Sequence, residues 1–185
     1  MMDKLSDYKL KIDIKTDFHG HTVRKNIPRS LWNKIRLAIL EEYNYTCSVC
    51  GNSPPEEQYK TLNVHEIEEH INDEIRLCVL KGLDLLCWDC HAFQHIGRTL
   101  GVLSEEQINK LILHFMKVNN CSKSDYKEYY RSIMQKNAEM VMERISKIRK
   151  GSVAIEKSVF YRIDAEIPYK EDVIKQLADK GIYKF

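Results

Sequence analysis

Two cysteine pairs of the form Cys-x-x-Cys stand near the centre of the chain, Cys47 with Cys50 and Cys87 with Cys90. Two thiolates three positions apart on a tight turn converge on one point, so two such pairs can complete the tetrahedral coordination of one zinc ion. Four sulfur ligands leave no open position, which makes such an ion structural. Free or redox-active thiols are the alternative, although no strand followed by a helix frames Cys47 as in a thioredoxin-like motif.

Three histidines lie in the same segment, at His65, His91 and His95. His91 and His95 are four positions apart, so a helix that begins at the second cysteine pair would carry both on one face. Together with His65 they could hold a divalent cation. His91 alone, just beyond a zinc ligand, could instead be a packing residue or a hydrogen-bond donor beside that ligand.

The order of these residues resembles the HNH endonuclease superfamily, whose core is a ββα-metal or treble-clef module. The likeness is carried by Cys47-x-x-Cys50, Val64-His65-Glu66-Ile67, Leu86-Cys87-x-x-Cys90-His91-x-x-x-His95 and the ending His95-Ile96-Gly97. The segment from Ile27 to Trp32 is similar to the start of the helix that precedes the module in that family. The resemblance covers roughly residues 27 to 97.

The resemblance implies a nuclease that hydrolyses phosphodiester bonds of DNA with the help of a metal ion. It implies that His65, His91 and His95 hold a catalytic Mg²⁺, Mn²⁺ or Zn²⁺ beside the structural zinc site. Glu66 falls on the position of the general base, and Arg98 or Lys81 would hold a phosphate group. The expected partner is DNA.

Two positions depart from the family pattern. Glu66 stands where the general-base histidine is usual, and Gly82 stands where the signature asparagine is usual. A glutamate with an ordinary pKa of about 4.3 is a weaker base than histidine unless burial raises its pKa. The base has therefore changed to Glu66, with His70 or Glu69 as substitutes, or hydrolysis has been lost. In the second case the module would bind nucleic acid or a partner protein, for example as a phage-encoded inhibitor or regulator.

Charge is unevenly distributed along the chain, although the net charge is only +2. Residues 54–90 hold nine acidic side chains against Lys60, Arg76 and Lys81, whereas residues 117–150 hold nine basic side chains against four acidic ones. The basic segment could contact phosphates. The acidic segment disfavours the approach of DNA unless cations neutralise it, and it suits a protein partner better.

The composition, 43% hydrophobic and 30% charged, is typical of a globular protein. Residues 1–6 carry charges and no apolar run, and the chain lacks a stretch of about eighteen apolar residues that could cross a bilayer. We therefore expect a cytoplasmic protein without a membrane segment. In that reducing compartment clustered cysteines favour metal over disulfides, and Cys78 and Cys121 are expected to be ordinary thiols.

Hydrophobic periodicity predicts the elements that must position these residues. Strands are expected over 8–15, 59–67, 83–86 and 153–167, with the first and last paired, and an insertion of weak helical character is expected over 70–80. Helices are expected from a Ser30 cap to about Tyr43, behind the capping box at Ser104, from Ser122 or Ser124 to about Arg149, and after Pro168.

These elements predict an α+β fold in which a ββα-metal (treble-clef) zinc module is embedded in a helical shell with a small terminal β-sheet. The expected organisation is an N-terminal strand and loop over 1–26, the zinc module over 27–100, a helical region over 101–150, and a C-terminal strand and helix over 151–185 that pack on the same domain.

Overall fold

The fold is mixed α+β, and the computed structural model describes residues 7–14, 18, 20–72, 75–151 and 158–185. The strands and α-helices of this part of the chain are, in order, α1 (Arg29–Glu42), β1 (Asn63–Asn72), β2 (Arg76–Leu86), α2 (Trp88–Phe93), α3 (Ile96–Val102), α4 (Glu105–Asn119), α5 (Lys123–Arg149), β3 (Val159–Ile163) and α6 (Lys170–Asp179). Short 3-10 helices cover Val23–Asn26 and Glu56–Thr61.

The chain divides into two compact units. Unit one is drawn from residues 1–16, 46–63 and 86–142, and unit two from residues 17–45, 64–85 and 143–185. Unit one contains both cysteine pairs, and unit two contains the sheet. The domain boundaries expected at residues 26, 100 and 150 stay predictions.

Unit one is built around the buried ring of Phe115 on α4. The rings of Tyr8, Phe93, Tyr126 and Tyr129 lie 5.5, 5.3, 5.1 and 5.7 Å from it between centroids. Aromatic rings bury large apolar areas and favour these offset and edge-on contacts, so this cluster supplies much of the apolar burial in the unit. It fixes α4 and α5 against the segment that carries the second cysteine pair.

Unit two is built on a three-stranded sheet in the order β1-β2-β3. β2 and β3 pair in parallel, with Arg76 opposite Val159, Cys78 opposite Tyr161 and Leu80 opposite Ile163. β3 alternates buried and half-buried residues, as the sequence periodicity predicts. α6 buries Val173 and Leu177.

The predicted sheet between the two termini is wrong. Residues 8–14 form no strand, and Lys15 lies outside the described residues. Leu10 is instead held by Asn119, whose side chain accepts from the Leu10 N–H at 3.0 Å and donates to its carbonyl at 2.9 Å. The alternation of Leu10 and Ile12 therefore reflects burial of an irregular segment. Of the C-terminal strand, residues 153–157 lie outside the described part, and the strand is Val159–Ile163 paired with β2.

The two strands β1 and β2 are longer than the sequence suggests. Residues 59–61 belong to a 3-10 helix, and β1 begins only at Asn63. β1 then runs to Asn72 and β2 begins at Arg76, so the weak helical character expected over 70–80 is wrong. The strand pattern was hidden because β1 places glutamates and histidines at buried positions, where periodicity rules expect apolar residues.

The predicted helices are largely confirmed. The Ser104 capping box with Gln107 begins α4, and Ser122 and Asp125 cap α5 reciprocally, with the Asp125 N–H donating to Ser122 Oγ at 3.1 Å. α1 begins at Arg29 after Pro28, so Ser30 is not its cap. α5 has the predicted bounds, and its Met134 and Met140 side chains are 40% and 65% exposed.

Candidate metal centre

The four cysteines of the two pairs come together in unit one. The sulfur atoms of Cys47, Cys50, Cys87 and Cys90 all lie within 4.8 Å of one another. Cys50 Sγ is 3.6 Å from Cys87 Sγ, and Cys47, Cys87 and Cys90 are buried. A cluster of four converging sulfurs could bind a metal such as zinc.

The first pair sits on a tight turn whose shape depends on a glycine. The Gly51 N–H donates to the Cys47 carbonyl at 3.0 Å, and the Cys47 N–H donates to the Asn52 carbonyl at 2.9 Å. Gly51 has φ +73°, a left-handed conformation that a side chain disfavours. These hydrogen bonds fold the chain back so that both sulfurs point to the same side.

The second pair occupies the start of a helix. Cys87 is the N-cap of α2 and Cys90 lies in its first turn, where the His91 N–H donates to the Cys87 carbonyl at 2.9 Å. One helical turn brings residues i and i+3 to the same face, which explains why this spacing gathers the two sulfurs.

Three of these thiols, Cys47, Cys87 and Cys90, strongly change one another's pKa. Hydrogen bonds from Cys87 and Cys90 lower the pKa of Cys47, whereas the hydrogen bonds to Cys47 and Cys87 raise the pKa of Cys90. One thiolate is thus stabilised by its neighbours, and each further thiolate is opposed by the first. A bound divalent cation would remove this conflict, since it favours the thiolate form of every ligand.

His114 on α4 lies beside this cluster and is not among the site residues that the sequence predicts. Its Nε2 lies 3.2 Å from Cys90 Sγ, and it lines a cleft of about 490 Å³ beside Cys50 and Cys87. Imidazole N–H groups next to a metal-bound sulfur orient that ligand and tune the site. The sequence feature that could have indicated this role is the position of His114 on α4, three residues after the buried Leu111 and next to the buried Phe115.

His91 and His95 lie side by side in unit one, directly after the cysteine cluster. Their ring centroids are 4.7 Å apart with the planes at 76°. They do not share a helix as expected, because α2 ends at Phe93 and His95 is the N-cap of α3. The break between the two helices still leaves the rings adjacent, with His95 exposed and His91 half-buried.

His65 and Glu66 lie on β1 in unit two, and both are buried. Glu66 Oε1 accepts a hydrogen bond from the Arg24 N–H at 2.8 Å. The predicted site of three histidines draws on residues of both units and stays a prediction. The role of Glu66 as base also stays a prediction, and its carboxylate is oriented by a backbone donor.

The remaining candidate residues have defined surroundings. Gly82 is on β2, and a Cβ atom there would lie 3.3 Å from Ile67 Cδ1, so a side chain requires Ile67 to shift slightly. The Lys81 ammonium pairs with Glu69 at 3.0 Å and with Asp164 at 2.9 Å, so its charge is largely neutralised. Arg98 is exposed on α3. The phosphate-binding roles of Lys81 and Arg98 stay predictions.

Comparison with protein-family models, with curated proteins and with solved structures finds no match to this chain. The HNH resemblance thus stays a prediction from the cysteine and histidine motifs. Among the described residues, every helix is too short or too polar to cross a membrane.

Proposed function

We propose that this chain is a DNA nuclease of the HNH type, with a structural zinc ion at the four cysteines and a catalytic divalent cation at the histidines. The observation that supports this most is the adjacency of the His91 and His95 rings, 4.7 Å apart, directly after the cysteine cluster. Imidazole pairs of this kind are common ligands of catalytic metals. The resemblance adds His65 as the third ligand.

The residues have distinct roles in this proposal. His91, His95 and His65 bind the cation, which when bound activates water and stabilises negative charge on the phosphate. Glu66 takes the proton of the attacking water, and the Arg24 N–H holds its carboxylate in one orientation. The exposed guanidinium of Arg98 holds a phosphate oxygen of the substrate.

The test is cleavage of supercoiled plasmid by the purified protein with Mg²⁺, Mn²⁺ or Zn²⁺. Wild type is expected to nick or cut the plasmid, and His91→Ala is expected to lose at least about a hundredfold in rate, as removal of a metal ligand does. Asp89→Asn, an exposed change on the same helix, is the matched control and should cut like wild type. An intact plasmid with all three metals would refute the nuclease.

A second candidate is a module that has lost hydrolysis and binds nucleic acid or a protein. It is favoured by Gly82, which lacks the side chain that the family uses, and by Glu66, whose carboxylate already accepts the Arg24 N–H. The double variant Glu66→His with Gly82→Asn restores the family residues. If wild type is inert and this variant cuts plasmid, the binding module is supported. Binding that does not weaken with salt would argue against a nucleic-acid partner.

A further inference from the structure

A second group of metal-ligating side chains lies on the sheet of unit two. Glu68 and His70 of β1 and Cys78 of β2 each offer a ligand atom, and these atoms all lie within 4.8 Å of one another. They are separate from the cysteine cluster and from the three histidines. The side chain of Glu68 is fully buried, His70 is 20% exposed, and Cys78 is fully buried.

The strand pattern explains why these groups converge. Positions 66, 68 and 70 of β1 share one face, because side chains alternate along a strand. Ile67, on the opposite face, is 41% exposed, while Glu66 is buried. The carboxylates of Glu66 and Glu68 are therefore on a buried face of β1, whereas Ile67 on the other face is exposed. Burial of charge is costly unless opposite charge compensates it, so a cation bound at this face would be favourable.

The His70 imidazole contacts the Phe18 ring with its face and Glu68 with its Nε2 atom. The His70 ring stacks on Phe18 with centroids 4.3 Å apart and planes at 8°, and the Arg76 guanidinium lies 4.9 Å from the same Phe18 ring. His70 Nε2 is 3.3 Å from Glu68 Oε2. A fixed ring with a nitrogen next to a buried carboxylate is the arrangement that metal ligands require.

We propose that Glu68, His70 and Cys78 bind a divalent transition metal ion, with zinc as the best fit. Thiolate and imidazole ligands select zinc and similar metals and disfavour Mg²⁺ and Ca²⁺, which prefer oxygen alone. Three protein ligands leave the fourth tetrahedral position for water or a small ligand. The ion would interact favourably with the buried carboxylate of Glu68 and with the thiolate of Cys78, whose ligand atoms lie within 4.8 Å of each other. This site is independent of the proposed nuclease function.

Cadmium-113 NMR on the full chain loaded with Cd²⁺ tests the site directly. The chemical shift of the bound Cd²⁺ is higher when more of its ligands are sulfur atoms. Wild type is expected to give one resonance from the four-thiolate cluster and a second, upfield of it, from a site with one thiolate. A site of imidazoles alone would lie further upfield still, so the histidine site cannot be mistaken for this one. A wild-type spectrum without the single-thiolate resonance overturns the proposal without any variant.

Variants assign the resonance. Cys78→Ser and Glu68→Gln are each expected to remove it and to lower the zinc content of the zinc-loaded protein by about one equivalent, as loss of a ligand from a three-ligand site predicts. Cys121→Ser, a half-buried thiol outside the cluster, should leave both readouts unchanged. If the resonance and the zinc content persist in folded Cys78→Ser and Glu68→Gln, both arise from other ligands and the proposal is wrong.

Discussion

The cysteine cluster of unit one and the polar strand face of unit two both bury ionisable groups, but by different means. At the cysteine cluster, four thiols converge from two turns. Their interactions lower the pKa of Cys47 and raise the pKa of Cys87 and Cys90, so ionisation of one thiol opposes that of the next. On β1, Glu66 is satisfied by the backbone N–H of Arg24, and Glu68 lies beside His70. The first centre needs a cation to become fully ionised, whereas the second is partly satisfied by the protein.

This difference gives the two regions different sensitivities. A centre whose ligands repel one another without metal couples its folding to metal binding. A carboxylate that accepts a backbone hydrogen bond stabilises the folded chain by the ordinary free energy of one hydrogen bond, whether or not a metal is bound. Substitutions in the two regions should therefore lower the free energy of unfolding by amounts that differ severalfold.

The largest effect is expected for Cys90→Ser. It removes a fully buried cysteine of the proposed zinc site, and we expect the variant to lose zinc and at least about 3 kcal/mol of unfolding free energy, because metal binding contributes to folding. Zinc analysis and thermal unfolding followed by circular dichroism measure both. Cys121→Ser is the control and should keep zinc. Unchanged zinc content in the Cys90 variant would contradict the coupling.

A smaller effect is expected for Glu66→Ala. It leaves the Arg24 N–H without the 2.8 Å acceptor, and the free energy of unfolding should fall by about 1–1.5 kcal/mol, the typical contribution of a hydrogen bond that is partly buried. Glu66→Gln keeps an oxygen acceptor and should lose less. Urea unfolding of the three proteins at neutral pH makes the comparison. Equal stability of the alanine and glutamine variants would show that this hydrogen bond does not matter.

The smallest effect is expected for Asp164→Asn. Hydrogen bonds from Arg162 and Lys81 lower the pKa of Asp164 from 3.8 to about 2. The carboxylate therefore stabilises the fold fully above about pH 3.8, and this contribution is lost as the pH falls through 2. The pairs are exposed enough for solvent screening, so we expect the variant to lose less than about 1 kcal/mol at pH 7.

The measurement for Asp164 is the difference in urea unfolding free energy between wild type and Asp164→Asn. At pH 7 this difference should shrink in 1 M salt, because salt screens exposed pairs over about 3 Å. A difference that grew with salt would mean that the side chain acts through packing and not through charge.

The cysteine cluster could be predicted because its geometry is local. A three-residue spacing on a turn brings two sulfurs together whatever surrounds them, and two such turns define the site. Helix caps were equally local, as the Ser104 capping box shows. The convergence of Glu68, His70 and Cys78 could not be predicted, because it depends on which face of β1 is buried and on the pairing of strands.

The errors in the predicted sheet have the same origin. The alternation of residues 8–14 matches a strand, yet the side chain of Asn119 satisfies the backbone of Leu10 in place of a neighbouring strand. The pairing of β3 with β2 is a contact between residues about eighty positions apart, which hydrophobic periodicity does not encode. Periodicity identifies which positions are buried. Which segment packs against them depends on contacts between residues far apart in the sequence.

X-ray absorption at the zinc edge tests the central claim, that four thiolates of unit one bind zinc, most directly. The sample is the folded Cys78→Ser variant as purified, because it removes the other thiolate proposed as a ligand. We predict about one zinc ion or more per chain, with a sulfur-dominated shell near 2.3 Å. Protein without zinc, or with a zinc shell of nitrogen and oxygen alone, would contradict the account.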